Sequence, residues 1–196
     1  MKAIRTLALA ALTIAGTAHA QSDSNTQTVS IGGSADRICT LGQPQLVAGD
    51  VLNFLNQSGG SLQVQTLADP VTLTTRAARV GVTLDAVCNY PHQLRFETAN
   101  NGLFSTNQNP LAAPTGFGAA VPYTVDAQWN GTSATFFANA LLRQRREQVL
   151  ITGGAFAGAV TLRFTIAAGA TNAEANSPLV AGPYGDFVRI WLEPQP

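Results

Sequence analysis

From Ala78 the even positions read Ala78, Val80, Val82, Leu84, Ala86 and Cys88, while the odd positions include Arg79, Thr83 and Asp85. Successive side chains of a strand point to opposite faces, so this period of two sends one row into a core and the other into water. The pattern predicts a half-buried strand with Cys88 on its inner face.

The same period returns downstream. Leu94, Phe96 and Thr98 face away from Gln93, Arg95 and Glu97, and Asn100-Asn101-Gly102 closes the run with residues that accept positive φ. Val121, Tyr123, Val125, Ala127 and Trp129 alternate with Pro122, Thr124, Asp126 and Gln128 before a turn at Asn130-Gly131. Val160, Leu162, Phe164 and Ile166 alternate with Thr161, Arg163 and Thr165 after Gly153-Gly154. A last run, about Tyr184 to Leu192, carries Val188, Ile190 and Leu192 opposite Phe187, Arg189 and Trp191, which predicts a strand that is central or covered on both sides. Gly102 to Ala120 and Gly169 to Ser177 read as loops, and the near-helical spacing of Phe137, Ala140, Leu141 and Gln144 predicts a short helix. Short strands separated by turn chemistry give an all-β fold, a sandwich or a barrel.

Lys2 and Arg5 precede an apolar stretch from Leu7 to Gly16 that ends in Ala18-His19-Ala20, the pattern of a cleavable secretory signal. The expected mature chain starts at Gln21 and is exported, with no later window that would span a membrane. In an oxidising compartment the two cysteines, Cys39 and Cys88, are expected to be bonded; two buried free thiols are the alternative. Closing a loop of about 50 residues contributes on the order of 4 kcal/mol in the chain-entropy model.

About 175 residues after cleavage make one domain the natural expectation. With Lys2 gone that chain has no lysine, and its sparse, scattered charge gives no basic field for nucleic acid. Arg143, Arg145 and Arg146, beside Glu147, read as a solvated face. His92 follows Pro91 at a strand start and reads as a turn or surface residue. No nucleophile and base can be paired, no ligand set for a metal has the required spacing, and no glycine loop carries a phosphate-binding ending, so neither an enzyme nor a cofactor is expected.

Between Gln21 and Ile38 lies a polar segment in which Val29, Ile31, Gly33 and Ala35 share one parity. Such a strand at a chain terminus can pair within its own domain, or it can add to the sheet edge of another molecule. This N-terminal segment, Cys39-Thr40-Leu41-Gly42, the strand ending in Cys88, and the closing Leu179-Val180-Ala181-Gly182-Pro183-Tyr184-Gly185-Asp186-Phe187-Val188-Arg189-Ile190 together resemble the spore coat U family, which includes subunits of archaic chaperone-usher pili. Ala181, Gly182, Tyr184, Asp186, Val188 and Ile190 fall on that family's terminal-strand pattern, while the long insert from Cys39 to Ala78 departs from it.

The resemblance implies an incomplete immunoglobulin-like, pilin-type β-sandwich whose missing strand comes first from a periplasmic chaperone and then from the next subunit. On this chain the donor would be about Thr26 to Ala35, with Val29, Ile31 and Ala35 on its apolar side. The expected organisation is a signal peptide over 1–20, an extension over 21–36, and one sandwich domain over 37–196. The expected function is a structural subunit of a surface pilus in adhesion or biofilm formation, with neighbouring subunits, a chaperone and an outer-membrane usher as partners. The alternative is a self-contained secreted or periplasmic β-sandwich binding module.

Overall fold

The computed structural model describes residues 26–57, 60–107 and 113–195, so the signal segment over 1–20 and the first residues of the extension lie outside the described residues. The chain divides into one unit that ends at Ala35 and a second from Asp36 onward. In the first, the described residues 26–35 carry no strand and are exposed.

The second unit is all-β. Its strands are β1 (Cys39–Leu41), β2 (Gln45–Leu52), β3 (Phe54–Gln57), β4 (Ser61–Val64), β5 (Ala78–Cys88), β6 (His92–Thr98) and β7 (Leu103–Ser105). They continue as β8 (Ala120–Val121), β9 (Tyr123–Trp129), β10 (Thr132–Ala138), β11 (Arg146–Gly153), β12 (Phe156–Ile166), β13 (Tyr184–Gly185) and β14 (Val188–Pro194).

β5 pairs with β12 in unbroken antiparallel register from Ala78↔Ile166 to Cys88↔Phe156. Its other edge is shared: β1 takes the Cys88 end with Cys39↔Cys88, and β2 runs down to Leu52↔Arg79. β9 and then β10 extend the sheet beyond β12. The facing sheet is β11-β6-β14; a small sheet β13-β7-β8 continues it at one end, and among the described residues β3 and β4 pair only with each other. The even row of β5, Leu94 and Phe96 of β6, Val125 and Ala127 of β9, and Val160 and Leu162 of β12 are buried in one core. Phe96 of one sheet and Phe136 of the other meet at 4.8 Å between ring centroids, as expected for the interleaved core of a sandwich. Cys39 and Cys88 are disulfide-bonded, which ties the first strand to the central one.

Five expectations are corrected. The segment Gly102 to Ala120, expected as a loop, opens with β7 and ends on β8, which pair with each other. The helix over Phe136 to Val149 is absent: β10 buries Phe136 and Ala138 and exposes Phe137, and the chain breaks at Ala140, whose φ of 56° ends the strand before β11 begins. His92 is fully buried; its Nε2 accepts the Trp129 indole N–H at 2.7 Å, which leaves Nδ1 as the protonated nitrogen, donating to the Tyr90 carbonyl at 2.9 Å. The arginine run is not a solvated face throughout, because Arg145 pairs with the buried Glu97 and Arg146 Nη1 donates to the Phe137 carbonyl. The last run is neither central nor covered on both sides. Phe187 between β13 and β14 is 77% exposed, β14 is an edge strand, and its outward Trp191 lies under the Arg95 guanidinium at 5.0 Å.

A bulge in β2 between Leu46 and Val51 places Asp50 over Gly81, where a Cβ would stand 2.6 Å from the carboxylate. From there Asp50 meets Arg79 and Arg163, each at 2.8 Å, bridging β5 and β12 on the outer face. The hydrogen bond from Arg163, helped by both guanidinium charges, holds the Asp50 carboxyl below its ordinary value of 3.8. A depressed folded value stabilises the native state above the unfolded value, and this contribution is lost as pH falls through the folded one. Asp50→Asn should therefore lower the melting temperature at pH 7, and the gap to wild type should close as pH drops below 3.8. Thermal melts from pH 7 to pH 2.5 check this; a gap that stays constant contradicts it.

Candidate functional site

The two flanks of the sandwich are finished differently. On one, β10 and β11 form the edges; Phe136 and Ala138 are fully buried and Ile151 is 3% exposed. Arg146 closes that side further, since its guanidinium caps the Phe137 carbonyl and sits 5.2 Å from the centre of the Phe136 ring. A charged group placed on an edge in this way blocks the addition of another strand.

The other flank runs between the β14 edge of one sheet and the β1–β2 edge of the other. β14 stands in register with β6, Val188↔Thr98, Ile190↔Phe96 and Leu192↔Leu94. The β6 residues of these pairs are fully buried, whereas Val188, Ile190 and Leu192 are only half-buried. The cause is topological, for β6 has a neighbour on both sides and β14 on one. Across the flank Leu41 and Leu46 are half-buried, and Val51 is 41% exposed although it pairs with fully buried Val80. Full burial of an aliphatic side chain is worth about 1.5–3 kcal/mol, so two facing rows that stop halfway leave stabilisation for an added strand.

Beyond the start of β14 an apolar cleft of about 450 Å³ is lined by Leu67, Leu73, Phe117, Leu179 and Tyr184 among others. Leu73 adopts φ of 60°, an uncommon conformation for a bulky residue, and its carbonyl accepts the Leu179 N–H at 2.9 Å. The Tyr184 hydroxyl donates to the Val180 carbonyl at 2.8 Å, and burial pushes its pKa up to about 12.

Of the terminal-strand residues, Val188 and Ile190 lie on the open flank and Tyr184 in the cleft, while Asp186 has a structural task. Its Oδ1 accepts the N–H groups of Asn100 (2.9 Å) and Phe187 (2.8 Å), and its Oδ2 accepts the Gly102 N–H (3.2 Å) and the Tyr123 hydroxyl (2.9 Å). One carboxylate thus binds the β6–β7 turn, β9 and the β13–β14 link. Burial raises the Asp186 carboxyl above its ordinary value against the pull of these donors, and burial also raises Tyr123, with the Asp186 charge adding to it.

Cys39 and Cys88 lie directly opposite one another at the top of this flank. Val29 and Ile31 are 80% and 94% exposed, and with Ala35 they belong to the separate N-terminal unit. The sequence reading missed the β3–β4 hairpin, the cleft and the capped opposite edge. Among the described residues no group of His, Cys, Asp and Glu could hold a metal ion, and no helix is long and apolar enough to cross a membrane. Compared with known proteins, the chain matches no protein-family model and no curated sequence.

Asp186→Ala should cost about 2–4 kcal/mol, because it strands several donors in a partly buried site, and Tyr123→Phe about 1 kcal/mol. A raised carboxyl favours the protonated native form, so its contribution is full below the unfolded value and declines as pH rises through the folded one. The stability advantage of wild type over Asp186→Asn should therefore shrink as pH rises from 3.8. Urea unfolding at several pH values reads both; a rising advantage contradicts the assignment.

Proposed function

We propose that this chain is a structural subunit of a bacterial surface pilus, joined to its neighbours by donor-strand exchange and serving adhesion or biofilm formation. The open flank accepts a strand from a neighbouring subunit, and residues 26–35 are the strand this chain donates. In transit a periplasmic chaperone covers the flank, and an outer-membrane usher exchanges it for the next subunit. The chain carries out no catalysis in this reading.

The observation that supports this reading most is the inequality of the flanks, one closed and capped by Arg146, the other lined on both lips by half-buried aliphatic residues. The donor is long enough. At about 3.3 Å per residue, residues 26–35 reach roughly 33 Å, beyond the roughly 23 Å of the β14 edge they would pair with. Main-chain pairing along that edge supplies affinity, and alternate apolar side chains, Val29 and Ile31 on this donor, supply register.

The specific observation that favours a self-contained binding module instead is the β3–β4 hairpin, whose Phe54, Leu62 and Val64 pack against the same core. The two readings part in one experiment. The chain from Gln21, prepared with and without residues 21–36, should form higher-order species only when the segment is present. A synthetic peptide of residues 26–36 should raise the melting temperature of the truncated form by several degrees, and the same peptide with Val29→Asp and Ile31→Asp should not. If both forms are monomers with equal melting temperatures and the peptide is inert, the self-contained module is the correct reading.

A further inference from the structure

We infer that the β3–β4 hairpin is a built-in cover for the open flank, displaced when a strand docks there; this rests on the strand-accepting reading above. Among the described residues the hairpin pairs with itself, from Phe54↔Val64 to Gln57↔Ser61, and makes no ladder with either sheet. It is applied to the body by side chains. Phe54, Leu62 and Val64 are half-buried against the sandwich core, and Leu55 on the opposite face is 45% exposed.

Its placement follows from its two ends. At the base, Asn53 turns the chain back on itself with φ of 58° and ties the foot of the hairpin to the chain entering β5: its Nδ2 donates to the carbonyls of Thr66 (2.9 Å) and Ala77 (3.2 Å), and its Oδ1 accepts the Thr66 N–H (3.1 Å). At the far end, Gly60 lies so close to the β1–β2 connection that a Cβ would stand 3.0 Å from the Pro44 ring. The hairpin therefore returns along β2 from the Leu52 end to the Gln45 end, with Phe54, Leu62 and Val64 turned to the core.

This arrangement separates what holds the cover in place from what holds it together. Swinging out about Asn53 keeps every hydrogen bond of the β3–β4 ladder, since those bonds are internal to it. What is given up includes the packing of Phe54, Leu62 and Val64 against the core and the approach of Gly60 to Pro44. An incoming strand regains that packing with its own side chains and adds main-chain bonds to β14 that the hairpin does not make. Exchange is thus favourable, while the resting chain does not show a bare apolar edge to other molecules.

The test follows binding of the synthetic peptide of residues 26–36 to the chain lacking residues 21–36, whose flank no neighbouring subunit can fill, with amide exchange read strand by strand. On binding, β14 amides should gain protection and amides of Leu62 to Val64 should lose it. Leu62→Ser with Val64→Ser, which loosens the cover and changes no residue of β14 or of the fully buried core, should speed peptide association about five- to tenfold. If hairpin amides gain protection together with β14, or the variant binds at an unchanged or slower rate, the hairpin is a fixed wall of the site and the cover is refuted. If the peptide binds neither protein, the strand-accepting reading falls and the cover falls with it. Should the variant not fold, the exchange pattern of the truncated chain without these substitutions decides the question.

Discussion

Everything in the sandwich is hung on the pairing of β5 with β12, a continuous register from Ala78↔Ile166 to Cys88↔Phe156. A slip of one residue would turn every side chain of β5 to the other face, so the buried even row and this register enforce each other. The outer face reads the register as well. Arg79 and Arg163 come within reach of one carboxylate only because β5 and β12 are aligned as they are, and Gly81 leaves the space in which Asp50 lies. The disulfide ends the same strand, fixing β1 to β5 at Cys88 and so defining where the folded body begins.

The second sheet is narrower and is held by polar groups more than by length. Buried Glu97 receives Arg189 from β14 at 2.9 Å and Arg145 from beside β11, so the central strand is stitched to both neighbours through one carboxylate. Across the core, the Trp129 indole donates to His92 and packs edge-on against Phe156 at 4.9 Å, joining β9 and β12 to the first residue of β6. A buried charge or imidazole without such partners would cost several kcal/mol, which is why these residues occur as matched sets.

The sequence disclosed what depends on neighbours along the chain and hid what depends on distant partners. The alternation of β5, β9 and β12 was legible because a period of two needs only a few residues, and Asn130-Gly131 does form a turn with φ of 49° and 71°. The false helix arose because Phe137, Ala140 and Leu141 fall at helical spacing on either side of a break, and an alanine with positive φ leaves no mark in a sequence. His92 read as a surface residue because its partner, Trp129, stands 37 positions away. Trp191 and Phe187 made the last strand look doubly covered, although an aromatic ring can be shielded by an arginine or left in water. The edge position of β14 is a property of strand order, which no local pattern encodes. Val188 and Ile190 were legible as an apolar row, and their half-burial was not.

The same strand order explains why the flanks cannot be equivalent. An edge strand can be finished by a side chain that occupies its free carbonyls, and Arg146 does this for β10 at the cost of one arginine held in place over Phe136. On the opposite side the chain spends an entire hairpin, yet that hairpin adds no rung to β14 and leaves Val188, Ile190 and Leu192 half in water. The hairpin packs on the core through Phe54, Leu62 and Val64 without a main-chain bond to β14 among the described residues, although each such bond would be worth about 1 kcal/mol net. Packing without pairing leaves the hydrogen-bonding groups of that edge uncommitted, the condition in which a strand from elsewhere can still take the place.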